Sequence, residues 1–462
     1  MSTASYFDEA RHRHMLAEYP LGPPFGDAVG RISRDELRAL QDRRFRAVVA
    51  RAWQVPFYRR LWGARGIEPG DVRGLEDLGK LPPFSKADLV RSVAEHPPFG
   101  DYHGVDLGAA DRASLVLHTT SGTTGAPQPV FYGAWDREVQ NLLLARAYLL
   151  QGLRADDVVH SVYGFGMVNG GHYIREALVH FTRCVVLPAG TGLETRSEQQ
   201  VELMRAFGAT VIVGFVDYIK RLAEVARDKG IEPGRDVKIR MISGHVGQED
   251  RDAISRAWGG AAVYDWYGVA DTGIIAAEGP DRNGLYVWED AHYLEIVDAD
   301  THTPQPDGEL GNMCVTALYK DGVYPIVRFD TSDVSAFLPR AAGDRPAFRR
   351  IAGFRGRSDQ MIKLRGVNVY PTAIGRHVSE HPALTGEFVC RVERRDGRDE
   401  LTVVAEARPG ADRPDLGVEL RHLLRQKLGV EVGVELVEPG ATAPLTEIDA
   451  RQKPIRLIDR RR

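Results

Sequence analysis

Apolar residues recur at helical spacing through the first hundred positions. In residues 35–53 they fall at Leu37, Leu40, Phe45, Val48 and Val49, which predicts one amphipathic helix. Pro and Gly then break residues 55–91 into short helices. From residue 114 the pattern changes. Strand-like runs at 114–120, 158–163 and 184–190, and near-continuous apolar runs at 209–216 and 237–244, alternate with helical stretches such as 198–208, where Val201, Met204 and Phe207 share a face. Apolar runs separated by helices predict a largely parallel sheet covered on both faces. The run RCVVLP at 183–188 is expected to lie buried in it. Between residues 285 and 355 the strands crowd together (GLYVWED, HYLEIVD, GNMCVTALY, PIVRFD), which predicts an antiparallel or barrel-like segment. The last hundred residues carry strands and one helix at 414–428. The expected fold class is therefore α/β. A large N-terminal domain of several subdomains, residues 1–355, has mostly parallel sheets plus a barrel-like segment, and a small α+β domain spans 356–462.

Composition narrows the function. The 462 residues hold 60 Lys plus Arg against 64 Asp plus Glu, a net charge of −4. A near-neutral chain lacks the basic surface that nucleic acid requires, so no nucleic-acid partner is expected. The most apolar stretch, 142–150, is short and contains Arg146, so no membrane span is expected. The first fourteen residues have no apolar core of a secretion signal. Cys184, Cys314 and Cys390 are scattered, which suits a reducing cytoplasm and gives no zinc-ligand spacing.

Candidate chemistry begins at residues 119–127, TTSGTTGAP, with five hydroxyls and two glycines after a predicted strand. Glycines let backbone N–H groups converge on an anion, and hydroxyls add donors, so the loop can wrap nucleotide phosphates; a plain Ser/Thr/Gly linker has the same composition. A Walker A loop is excluded, because Leu81 follows Gly79-Lys80 and a leucine cannot ligate Mg²⁺. No GxGxxG is present: Gly164 and Gly166 are followed by Gly170, one residue too far.

The loop resembles the phosphate loop of the adenylate-forming superfamily, which contains acyl-CoA synthetases, luciferases and nonribosomal adenylation domains. Further motifs follow in the family's order: Tyr267-Gly268-Val269-Ala270-Asp271, Arg328-Phe329-Asp330-Thr331-Ser332-Asp333, the hinge-like run from Gly356 to Gly366, and Lys453 in the tail QKPIRLIDRR. VPFYRRLW, YGFGMVNGG, GVNVYPTAI and the terminal IDRR are similar to the phenylacetate-CoA ligase branch.

The resemblance implies ATP, Mg²⁺ and a carboxylic acid, expected to be aromatic, as ligands, with coenzyme A as co-substrate. It assigns Ser121, Gly122, Thr123, Thr124 and Gly125 to the phosphates, and Gly244, His245, Asp265, Trp266, Tyr267 and Gly268 to the adenine side. Asp333 would accept hydrogen bonds from the ribose hydroxyls, and Arg357 would reach ribose or phosphate. Asp271 stands where the family has a Mg²⁺-ligating glutamate; the competing reading is a helix cap before TGII. Tyr163, Phe165, Phe215, His245 and Trp266 would border the acid, although aromatics at such places are also plain core. Asp359 is the implied hinge of a mobile small domain, and Lys453 the implied catalytic cation, set in a tail with Arg451, Arg456, Arg460, Arg461 and Arg462. A homodimer is a further expectation.

Four positions depart from the family pattern: Gln128 for lysine, Asp271 for glutamate, His245 for alanine and Asp330 where the branch favours arginine. The first is mild, since the branch often lacks that lysine; the other three leave the acceptor open between coenzyme A and an amine, another small nucleophile or a carrier-protein thiol. A non-catalytic nucleotide-binding homologue is the reading from another class, opposed by Thr123, Asp333 and Lys453.

Overall fold

Ser33 starts the helix predicted at 35–53. Its hydroxyl accepts from the Glu36 amide, and the Glu36 carboxylate accepts from the Ser33 amide at 2.8 Å, a reciprocal cap that fixes the start of α1, Arg34–Ala52. The structure is a computed structural model and describes residues 6–109, 112, 114–120, 128–340, 348–365, 367–395, 398–411, 413–447 and 454–461. The chain packs as two compact units, Met1–Pro188 with Tyr264–Gly353, and Ala189–Val263 with Phe354–Arg462.

After α1 come β1 (Phe84–Ser85), the hairpin β2 (Val116–Thr119) and β3 (Pro129–Tyr132), α2 (Ala134–Leu150), β4 (Val158–Ser161), α3 (Gly170–Phe181) and β5 (Val185–Pro188). Next are α4 (Ser197–Ala206), β6 (Val211–Phe215), α5 (Val216–Asp228) and β7 (Met241–His245). A run of strands follows: β8 (Ala262–Val269), β9 (Gly273–Glu278), β10 (Leu285–Val287), β11 (His292–Val297), β12 (Gly311–Ala317), β13 (Phe329–Ser335) and β14 (Arg350–Ile351). The chain ends with β15 (Gly356–Arg357), β16 (Ile362–Leu364), β17 (Val367–Val369), α6 (Pro371–Ser379), β18 (Leu384–Arg395), β19 (Arg398–Ala407), α7 (Arg413–Leu428), β20 (Gly433–Val437) and β21 (Leu457–Asp459).

In the first unit β4 and β5 are parallel, whereas β8, β9, β10 and β14 pair antiparallel. A second sheet holds β11, β12 and β13 antiparallel, with β1 parallel on β13. Helix α2, which contains the most apolar stretch, is buried from Ala134 to Tyr148 apart from Trp135 and packs on α3. Its Arg146 is fully buried and pairs with Asp290 at 2.9 Å beneath the Phe25 ring, which explains an arginine inside an apolar run. No helix among the described residues is long and apolar enough to cross a membrane.

In the second unit β6 and β7 are parallel, and α5 buries Val216, Ile219, Leu222 and Ala226 with α4 packed on it. The C-terminal part is a sheet ordered β20–β19–β18–β21, closed by a core that includes Ile374, Val378, Phe388, Leu401, Leu420 and Leu424.

Several expectations change. The run at 114–120 does not join the parallel strands: β2 pairs antiparallel with β3 in a separate two-stranded sheet. The 285–355 strands are antiparallel but close no barrel among the described residues: β10 and β14 extend the β8–β9 pairing, while β11–β13 belong to another sheet. The run at 183–188 is not buried, because β5 ends its sheet and leaves Val185 56% exposed. Phe207 lies one residue past the end of α4 and leaves its buried face.

Candidate active site

Residues 121–127, with Ser121, Gly122, Thr123, Thr124 and Gly125, and residues 448–453, with Lys453, lie outside the described residues. The remaining predicted residues fall into two groups, one in each unit.

In the first unit β8 carries Asp265, Trp266, Tyr267 and Gly268. Its pairing with β9 is interrupted by a bulge between Tyr267 and Gly268, a device that re-aims side chains. A Cβ on Gly268 would lie 2.5 Å from the Gly273 carbonyl oxygen, so no larger residue fits there. The Tyr267 hydroxyl donates to Asp333 Oδ2 at 2.8 Å, joining positions 66 apart in sequence. Asp333 is steadied in turn: its amide donates to Thr331 Oγ1 at 3.1 Å, and Thr331 Oγ1 donates to the Met313 carbonyl at 2.8 Å. The Asp265 amide donates to Glu278 at 2.7 Å, and its carbonyl accepts from Gln151 at 3.3 Å, so the strand backbone is held on both sides. The Trp266 ring centre lies 6.4 Å from that of Tyr163, and Phe165 meets His172 edge-on at 5.2 Å.

Asp271 sits in the turn between β8 and β9, so it caps no helix. Its Oδ1 accepts from Gln128 Nε2 at 2.9 Å and from the Tyr324 hydroxyl at 2.9 Å. Two of the four departures therefore face each other. Burial raises the Asp271 carboxyl; the Tyr324 and Gln128 hydrogen bonds and the charges of Lys320 and Lys86 oppose that rise. Lys320 is fully buried, 5.1 Å from the Tyr324 ring centre and 5.3 Å from that of Tyr132. Among the described residues Oδ2 of Asp271 takes no hydrogen bond, which leaves a hard carboxylate oxygen of the kind Mg²⁺ binds. Tyr324 and Lys320 escaped sequence reasoning; the signal was YKDGVYP, polar groups set directly before the RFDTSD motif.

The Asp330 departure is likewise accommodated. Asn312 Nδ2 donates to its carboxylate at 3.1 Å, His302 Nε2 lies 3.0 Å away, and the Ser332 amide donates at 2.8 Å.

In the second unit the register of β6 and β7 sets Gly214 opposite Gly244 and Phe215 opposite His245. A Cβ on Gly244 would lie 1.8 Å from the Gly214 carbonyl oxygen, so only glycine permits this approach. The Phe215 and His245 rings then stack, 5.0 Å apart at 20°. Arg357 pairs with Asp359 through two hydrogen bonds, 2.8 and 2.6 Å. Partly exposed pairs of this kind contribute about 0–1 kcal/mol.

The family of AMP-binding enzymes matches residues 81–318, and the AMP-binding enzyme C-terminal domain matches residues 366–461. A phenylacetate-coenzyme A ligase of Aromatoleum evansii is 32% identical over 451 residues, covering 94% of this chain and 97% of its own. One of Pseudomonas putida is 34% identical over 429 residues, covering 89% and 92%. Among solved structures, a 2-hydroxyisobutyryl-CoA ligase in the postadenylation state, in complex with R3-HIB-AMP, is similar with a TM-score of 0.83 at 27% identity, over 96% of this chain and 94% of that one.

Proposed function

The chain belongs to the AMP-binding enzyme family, in its phenylacetate-CoA ligase-like branch, and from that premise we propose that it is an AMP-forming ligase that joins an aromatic carboxylic acid to coenzyme A. A carboxylate is a poor electrophile. In the first half-reaction its oxygen attacks the α-phosphorus of ATP, the bond to the β-phosphate breaks and pyrophosphate leaves. In the second, the sulfur of coenzyme A attacks the acyl carbon, AMP leaves with the C–O electron pair, and the thiol proton passes to solvent. The protein's part is positioning and charge stabilisation.

The observation that carries the reading is the Tyr267–Asp333 hydrogen bond at 2.8 Å. It supports one nucleoside-binding surface, with the Tyr267 ring against adenine, Asp265 accepting from the exocyclic amine and Asp333 accepting from both ribose hydroxyls. Ser121, Thr123 and Thr124 would hold the phosphates, with Gly122 and Gly125 allowing close backbone approach. Asp271 would hold Mg²⁺ through Oδ2, and that ion would neutralise phosphate charge. The stacked Phe215 and His245 offer a flat aromatic wall for the acid, beside the tight strand approach at Gly244. Tyr163, Phe165 and Trp266 keep the acid-lining role expected from the sequence. Lys453 would meet the charge that develops between carboxylate and α-phosphate. Residues 356–462 would then turn about Asp359 as a mobile domain against residues 1–355, withdrawing Lys453 and admitting coenzyme A. The reading includes a cytoplasmic setting, supported by three cysteines none of which is bonded to another, and a homodimer, for which sedimentation velocity is the check.

A screen of aromatic acids by ATP–pyrophosphate exchange tests the proposal. Phenylacetate or a ring-substituted relative is expected to drive exchange, and coenzyme A, not amines, to accelerate AMP release. Release stimulated by an amine alone would overturn the acceptor; no exchange with any acid would overturn the ligase reading.

A further inference from the structure

The last twelve residues hold five arginines, and one of them differs from its neighbours. The Arg456 side chain is only 11% exposed, against 56% for Arg460. Its guanidinium reaches three acceptors: Glu387 at 2.9 Å, the Phe388 carbonyl at 2.7 Å and Asp217 at 3.2 Å. It also lies over the Phe388 ring, 4.7 Å from its centre. Asp217 is the second residue of α5, two positions after Phe215, whose ring stacks on His245. Lys220 lies one turn further on, 3.4 Å from Asp217 and 2.8 Å from Glu249.

These contacts divide by where they lie. Glu387 and Phe388 are on β18, within the C-terminal domain that also contains Arg456, so those bonds survive any rigid rotation of residues 366–461. The bond to Asp217 joins that domain to a helix outside it. Backbone bonds fix the strand itself: the Ile455 amide donates to the Thr446 carbonyl at 2.8 Å, the Cys390 amide donates to the Arg456 carbonyl at 2.9 Å, and Leu457 pairs with Cys390. Arg456 follows Lys453 by three positions.

We propose that Arg456 is a positioning residue for the first half-reaction: through Asp217 it ties the strand that follows Lys453 to the helix that follows Phe215, and this tie opens when the small domain turns. The inference rests on the role given to Lys453. The charges are arranged so that opening strands neither partner. Asp217 keeps Lys220, and Arg456 keeps Glu387. An ion left alone in a partly buried site would make opening costly. A tie with a spare partner on each side holds the strand that follows Lys453 in place yet releases it.

The test uses the full chain, with Asp217→Asn to remove the charge and Asp217→Glu to restore it. ATP–pyrophosphate exchange with phenylacetate reads the first half-reaction, and thioester formation from synthetic phenylacetyl-AMP and coenzyme A reads the second. Deuterium uptake by amides 454–461 reads the tie without any substrate. Asp217→Asn is expected to slow exchange about tenfold, since small misplacement of a reacting group costs this much or more. It should leave thioester formation within about twofold and raise deuterium uptake in the tail, with exchange recovering in Asp217→Glu. Equal slowing of both half-reactions, or unchanged uptake in the tail, would overturn the proposal. A wild type that exchanges with no aromatic acid would instead count against the ligase reading, and the deuterium arm would still decide the tie.

Discussion

Replacing Lys453 by alanine is expected to slow ATP–pyrophosphate exchange about 10²- to 10³-fold, a loss of roughly 3–4 kcal/mol of transition-state stabilisation. The reason is electrostatic. As the carboxylate oxygen closes on the α-phosphorus, two negatively charged groups approach and charge builds on the phosphate oxygens. A cation set there in advance offsets that charge without having to reorganise. The same variant should convert synthetic acyl-adenylate and coenzyme A to thioester at a rate within about threefold of wild type, because the role proposed for the lysine confines it to the first step. Arg at 453 should recover little of the exchange, since a planar guanidinium does not replace a compact ammonium. Loss of both half-reactions to the same extent would remove Lys453 from its assigned role.

Asp333→Ala is expected to act differently. The proposed ribose site puts two hydrogen bonds to the Asp333 carboxylate at stake, each contributing about 1.5–3 kcal/mol. Their loss should raise the KM for ATP about 100-fold or more. Because the acyl-adenylate carries the same ribose, thioester formation from added adenylate should weaken as well. Tyr267→Phe separates the partner from the acceptor. It keeps the ring and removes the hydroxyl, with its 2.8 Å bond to Asp333 and its longer 3.4 Å contact with Thr331 Oγ1, so an effect below about tenfold is expected. Steady-state kinetics in ATP, measured on both variants, checks this. An unchanged KM in Asp333→Ala would place the ribose elsewhere.

What could be read from the sequence follows the range of each interaction. The helix at 34–52 was legible because its apolar residues, Leu37, Phe45, Val48 and Val49, repeat at helical spacing within the element itself, whereas its cap, Ser33 with Glu36, was not read. The strands at 211–215 and 241–245 were legible as apolar runs, and their register, which stacks Phe215 on His245, was not. The run PIVRFD predicts a strand from Pro325, yet β13 begins at Phe329. Pro325 has no N–H to give a ladder, and Arg328 takes a φ of 57°, outside the strand region. Burial of 183–188 was misjudged because an edge strand and a central strand have the same composition. The motif residues Tyr267 and Asp333 were legible by their order along the chain. Their direct contact, the Gln128–Asp271–Tyr324 group and the Arg456–Asp217 pair join residues 53 to 239 positions apart, and only the fold brings these together. Arg456 in particular read as one more basic residue of the tail; its flanking Ile455 and Leu457 were the clue to a half-buried strand.

The most direct measurement follows an oxygen atom. The enzyme is given ATP, coenzyme A and an active aromatic acid labelled with oxygen-18 in its carboxylate, and the nucleotide product is analysed by mass spectrometry. Attack of the acid on the α-phosphorus, followed by cleavage of the acyl–oxygen bond, predicts AMP carrying one atom of oxygen-18 in its phosphate. Unlabelled AMP, or ADP and phosphate in its place, would contradict the account.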